Sequence, residues 1–162
     1  MDAIPFVLFF LTQDNYIYHS AITNERSTKK EKQNMIYITH FRNANPRQFD
    51  ELWAIVRRFK KCLTYHTHVP ELSPNWDLFK TYLRLQDNGE WNEHTFQTIY
   101  KPQFMEQMKN DPEAQQTLLH LKELDEQGKK ICLFCFCNDK NLCHRSLIAE
   151  LLIQMGCNVI LD

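Results

Sequence analysis

The apolar positions of this chain fall into short continuous runs and spaced stripes, separated by polar punctuation. Ile36-Tyr37-Ile38-Thr39-His40 is β-prone and predicts a first strand over 36–39. Asn45-Pro46 reads as a helix start, because Pro is tolerated in a first turn. Phe49, Leu52, Trp53, Val56 and Phe59 follow at helical spacing, so a helix with a core-facing stripe is expected there. Arg57, Arg58, Lys60 and Lys61 then fall at its C-terminal end, where they complement the dipole as a solvated group. Cys62 to Thr67 predicts a second strand.

Ser73-Pro74 opens a helix through about Arg84, with Trp76, Phe79, Tyr82 and Leu83 as its apolar side, and Asn88-Gly89 makes a turn. The next helix carries Phe96, Ile99, Tyr100 and Phe104 and is expected to bend at Pro102. Asp111-Pro112-Glu113 starts another, carrying Leu118, Leu121 and Leu124, with Gly128 at its C′ position. The clearest unit is the last. Lys130 to Cys137 predicts a buried strand, Asn138 to Leu142 a loop, Cys143 to Met155 a helix, and Val159 to Leu161 a final strand after Gly156.

Strands alternating with helices predict an α/β fold, a single-domain three-layer sandwich with a mainly parallel sheet. The closing strand-helix-strand is expected to cross over right-handed. In open α/β sheets ligands bind outside the carboxyl ends of strands. The groups expected there are His40, His66, His68, Cys135 and Cys137, together with Cys143-His144-Arg145.

Residues 1–34 differ in texture from the rest. An apolar piece, Ile4 to Leu11 with Pro5 inside it, leads into the polar stretch Thr23 to Asn34. Two readings stand side by side: an N-terminal appendage to a compact domain that begins at Met35, or an edge strand over Phe6 to Leu11. The apolar piece is far short of the ~20 residues a bilayer requires. It has no cationic leader, Asp2 being the only early charge, so a cytoplasmic location and no membrane contact are expected.

Composition narrows the functional classes. The 162 residues are 43% hydrophobic, which suits one domain with its own core. Lys+Arg 19 against Asp+Glu 20 leaves a net charge of -1, so broad non-specific nucleic-acid binding is not expected. Four of the six cysteines (Cys132, Cys135, Cys137 and Cys143) crowd into one short stretch. In a cytosolic chain that pattern reads as buried thiols, a reactive site or a metal site rather than a disulfide framework.

Cys143-His144-Arg145 opens a helix just after a loop leaves a buried strand. Unpaired first-turn N–H groups and the dipole favour an anion there, and Arg145 adds a fork of donors suited to phosphate or carboxylate. The same field favours a thiolate at Cys143. Lowering a thiol from about 8.5 to about 7 takes roughly 2 kcal/mol. A helix terminus supplies about 0.3–1 kcal/mol, so Arg145 or a charged His144 has to contribute. The plain alternative has Cys143 packing the loop, His144 exposed and Arg145 paired to Glu150.

A metal site is the second candidate. Residues 135 and 137 share a strand face. With Cys143 and His144 they offer three thiolates and an imidazole, a set zinc accepts, although the Cys-x-Cys-x5-Cys-His spacing is not a usual zinc knuckle. His66 and His68 share a face as well, as a metal or acid–base pair, or as one buried histidine and one at the rim. Trp76 could lie over a base or sugar, or belong to a capped helix as a core residue.

The strand Ile131-Cys132-Leu133-Phe134-Cys135, seven residues, then Cys143-His144-Arg145-Ser146 resembles the YeaO-like bacterial proteins, a domain-of-unknown-function family. Ser73-Pro74-Asn75-Trp76-Asp77-Leu78-Phe79 and Tyr37-Ile38-Thr39-His40 resemble the same family, over about Met35 to Asp162. The resemblance implies a small cytosolic α/β domain with a site at Cys135, Cys143, His144 and Arg145. Lys140 stands where a Pro is common, and Cys137 is an additional thiol.

These readings converge on a domain that binds or acts on a phosphate-bearing small molecule or nucleotide. Cys143 and His144 are its candidate catalytic pair, and Arg145, Cys135, His40, His68 and Trp76 its candidate ligand contacts. No cofactor is required by this reading. A zinc-binding domain and a non-catalytic interaction module also fit the sequence.

Overall fold

The computed structural model describes residues 35–59 and 66–162. Five parallel strands form one sheet in the order β3-β2-β4-β1-β5. They are β1 (Met35–His40), β2 (Glu51–Ala54), β3 (Thr67–His68), β4 (Lys130–Cys135) and β5 (Val159–Leu161). The fold is α/β, as expected. Both the appendage and the edge-strand reading of residues 1–34 lie outside the described residues, as does most of the strand expected over Cys62 to Thr67.

The helix expected over 49–59 is not there. Residues 46–48 form a turn and Glu51–Ala54 is the strand β2. Leu52, Trp53, Ala54, Ile55 and Val56 are buried without a break, the pattern of a strand covered on both faces. A clamp sets its start: Asp50 N donates to Lys130 O at 2.8 Å, and Lys130 N donates to Asp50 Oδ2 at 2.8 Å. The ladder also runs past β2, Ile55 N donating to Phe134 O at 3.0 Å.

Register and alternation sort the sheet into two faces. Ile36, Ile38, Leu133 and Trp53 share one, and Tyr37, Cys132, Phe134 and Leu52 the other. On the first face Trp53 stacks on His120 of the helix α4 (Pro112–Glu126) at 5.8 Å. On the second, the Phe134 ring meets Phe41 and Phe59, and Tyr37 meets Phe49.

The helices begin where side chains satisfy their first N–H groups. α1 (Trp76–Asp87) is capped by Asn75, which accepts from Leu78 N at 2.9 Å, and Asp111 caps α4. α2 (Glu93–Thr95) opens with a capping box between Asn92 and Thr95. It runs through a π turn, Phe96–Tyr100, into α3 (Lys101–Asn110). Pro102 has no N–H for the carbonyl four residues back, so the expected disturbance is taken up as that wide turn. The turn carries a stack in which Phe96, Tyr100 and Phe104 lie 5.6 and 6.1 Å apart. α3 packs against α4 and against α5 (His144–Gln154), which lies over β1 and β5. Among the described residues no helix is long and apolar enough to cross a membrane.

Candidate active site

β4 ends at Cys135, the loop returns, and Cys143 caps α5. Its sulfur takes the role usually filled by a hydroxyl or carboxylate oxygen, accepting from Arg145 N at 3.4 Å. Ser146 Oγ donates to Cys143 O at 2.8 Å and closes the turn. Cys135 Sγ lies 3.4 Å from Cys143 Sγ and accepts from Cys137 N at 3.4 Å. His144 Nδ1 is 3.5 Å from Cys143 Sγ, while its Nε2 is 2.7 Å from Ile55 O. Since a carbonyl only accepts, Nε2 carries a proton and Nδ1 is turned to the sulfurs.

The electrostatics follow from this packing. Burial pushes the Cys143 thiol up, but hydrogen bonds to Cys135 and Cys137 and the neighbouring His144 charge outweigh it and bring Cys143 well below the ordinary thiol range. Burial by itself lowers His144; Cys143 and Cys137 reverse that and raise it to about 10. Hydrogen bonding to Cys137 and Cys143, with burial, pushes the Cys135 thiol up. Cys132, on the opposite sheet face, is pushed up to about 12 by burial and packs as expected.

The four side chains border a cavity of about 280 Å³. Phe79, Tyr82, Trp91, Tyr100 and Phe136 supply its aromatic walls, and Arg57 and Arg58 its cationic groups. Arg57 is fixed by Nε donating to Pro74 O at 2.8 Å and Nη2 donating to Ser73 O at 3.1 Å. Arg58 is exposed, its guanidinium 4.7 Å from the centre of the Trp76 ring. Sequence reasoning missed both arginines as site residues. Read as the end of a helix they looked solvated; read as the exit of a parallel strand, they stand at the sheet's ligand-binding edge.

Of the residues singled out beforehand, Cys135, Cys137, Cys143 and His144 come together. Arg145 is 1% exposed and does not border the cavity; its Nη2 donates to Cys137 O at 2.9 Å. Glu150 is taken by Lys101 at 2.7 Å and not by Arg145. His40 accepts from Arg42 N through Nδ1 at 3.1 Å and caps a short turn. His68 Nε2 lies 2.7 Å from Val56 O, and His66 sits against Phe59. His40, His66, His68 and Trp76 do not line the cavity, although Trp76 reaches it through Arg58.

The model of the family described as the active DUF488-N3 subclade (DUF488-N3a) matches residues 21–156. The chain belongs to this family. The match runs through both halves of the cavity wall and through the whole Cys135–Arg145 segment of this DUF488 protein. It also begins ahead of Met35. No curated protein matches the chain. No solved structure matches it.

Proposed function

We propose that this DUF488 protein is an enzyme that acts on a phosphate-bearing small molecule with a planar base, a single nucleotide in size. The carrying observation is the placement of Cys143 Sγ, between Cys135 and His144, against an aromatic cavity whose lining also includes Arg57 and Arg58. Aromatic walls stack a base, and arginines take phosphate oxygens in pairs of hydrogen bonds. A volume of about 280 Å³ is near the small end of ligand sites and suits one nucleotide better than a dinucleotide.

In this reading Arg57 and Arg58 hold the anion, Cys143 is the reacting thiolate, and His144, aligned by Ile55 O, holds it in that form. The anion contact first assigned to Arg145 passes to these arginines because they border the cavity. The test is calorimetric titration of the full chain with nucleoside monophosphates, nucleosides and inorganic phosphate, alongside iodoacetamide mapping at neutral pH. Preferential binding of a nucleotide and selective modification of Cys143 are expected. Absence of nucleotide binding together with thiols of equal reactivity overturns the reading.

A further inference from the structure

Arg145 presents a problem that the nucleotide reading leaves unsolved. Its side chain is almost fully buried, yet among the described residues Nε and Nη1 have no hydrogen-bond partner and Nη2 reaches only a backbone carbonyl. A buried cation needs a countercharge. The exposed Asp162 carboxylate feels the Arg145 charge, and the guanidinium's one hydrogen bond runs to Cys137 O, in the loop that carries the thiol cluster.

We propose that Cys135, Cys137, Cys143 and His144 form a tetrahedral site for a zinc-class divalent ion. Each residue offers one donor atom, and the four atoms lie within 4.8 Å of one another. A tetrahedral ion with bonds of about 2.3 Å to sulfur and about 2.0–2.1 Å to nitrogen needs donors separated by roughly 3.5–3.8 Å. Cys135 and Cys143 are already 3.4 Å apart, and Cys143 and His144 Nδ1 3.5 Å apart. The set is soft, three sulfurs and an imidazole, which selects zinc over calcium or magnesium.

The surroundings match those of a ligated cluster. His144 donates from Nε2 to Ile55 O, which fixes the ring and turns Nδ1 toward the sulfurs, where a metal ion would replace the Nδ1 proton. Two backbone N–H groups, of Arg145 and Cys137, point at Cys143 Sγ and Cys135 Sγ and offset thiolate charge. Three thiolates and one divalent ion sum to a single negative charge, which adds to the exposed Asp162 carboxylate as a countercharge for the buried Arg145. The Nη2 bond to Cys137 O then also holds the loop that carries the half-buried ligand. Binding releases the remaining thiol protons and the Nδ1 proton of His144 to solvent and leaves Cys143 deprotonated whatever the bulk pH near neutrality. The inference rests on the reading of Cys143 as the cavity's thiolate and names what keeps it so.

The full chain purified without chelator is tested by elemental analysis and, after exchange, by the absorption spectrum of its cobalt(II) form. About one zinc per chain and the intense visible bands of tetrahedral thiolate cobalt are expected. Cys137→Ser, at a half-buried position that tolerates the change, should lose zinc to a competing chelator at least about tenfold more readily than wild type. Cys157→Ser, outside the cluster, should retain it. Zinc-free protein that fails to take up zinc and gives the spectrum of aqueous cobalt overturns the site. If Cys143 is still selectively alkylated and nucleotide still binds in that protein, the metal inference alone falls. If zinc binds and nucleotide does not, the nucleotide reading falls instead.

Discussion

His144 Nε2 and Ile55 O are 2.7 Å apart, a buried bond between the first turn of α5 and the chain leaving β2. It joins the two walls of the cavity: the arginines follow Ile55, and the thiols flank His144. His144→Leu leaves a buried carbonyl without a donor and should cost about 1–3 kcal/mol. Urea unfolding of the two proteins, both stripped of metal, measures it, and an unchanged midpoint would show that the bond contributes nothing.

Arg58 and Trp76 act as one unit if the cation–π contact at 4.7 Å holds the guanidinium toward the cavity. Arg58→Ala should then weaken nucleotide binding by about 1 kcal/mol or more. Trp76→Ala should weaken it less, and the double variant should bind no worse than Arg58→Ala alone. Additive losses in the titrations would mean that Trp76 contacts the ligand itself.

Phe104 is fully buried between Tyr100 and His144, with ring centres 6.1 and 6.0 Å away. Phe104→Ala removes the packing beneath both and should cost about 3–5 kcal/mol. A loss under about 1 kcal/mol by denaturant titration would mean that the stack closes over the gap.

Asp125 is buried; among the described residues its Oδ1 has no hydrogen-bond partner and its Oδ2 accepts only a long bond from Asn158 N at 3.4 Å. Burial raises its pKa above the ordinary carboxylate value. The folded state therefore binds the proton more tightly than the unfolded chain does. This group's contribution to stability falls as pH rises through the ordinary carboxylate value toward the raised one, and the deficit is complete above it. Asp125→Asn should raise the melting temperature at pH 7 and gain much less below about pH 4. An equal gain at both pH values would assign the effect to something other than ionisation.

The C-terminal unit was legible because each of its parts has its own sequence mark. Lys130–Cys135 is one unbroken apolar run after its first residue, Cys143 opens a helix, and Gly156 takes a positive φ of 86° between α5 and β5. β2 was not legible because Phe49, Leu52, Trp53, Val56 and Phe59 happen to satisfy helical spacing after a proline. What decides between helix and strand there is the Asp50–Lys130 clamp, a pairing of residues far apart in the chain. That misreading also hid Arg57 and Arg58, whose meaning depends on which element they leave. The thiol cluster was visible in part, from the adjacency of Cys143 and His144; the strand expected through Cys137 stops at Cys135, and Cys137 joins the cluster by the turn in which its N–H donates to Cys135 Sγ. The burial of Arg145 was not, since an Arg in a first helical turn is ordinarily solvated.

The sheet order carries a consequence for how the molecule is made. β4 lies between β1 and β2, and both wait for it across a long stretch of the chain, more than half of it for β1. As residues leave the ribosome, the first two strands have no mutual ladder and cannot close the centre of the sheet. Closure over such sequence separations is slow. Until it happens, Cys132, Cys135, Cys137 and Cys143 travel together on an unfinished chain, open to oxidation and to mispairing with one another. Denatured full chain refolded with a thiol reductant should therefore recover in higher yield than chain refolded in air, with the difference confined to the interval before β4 inserts.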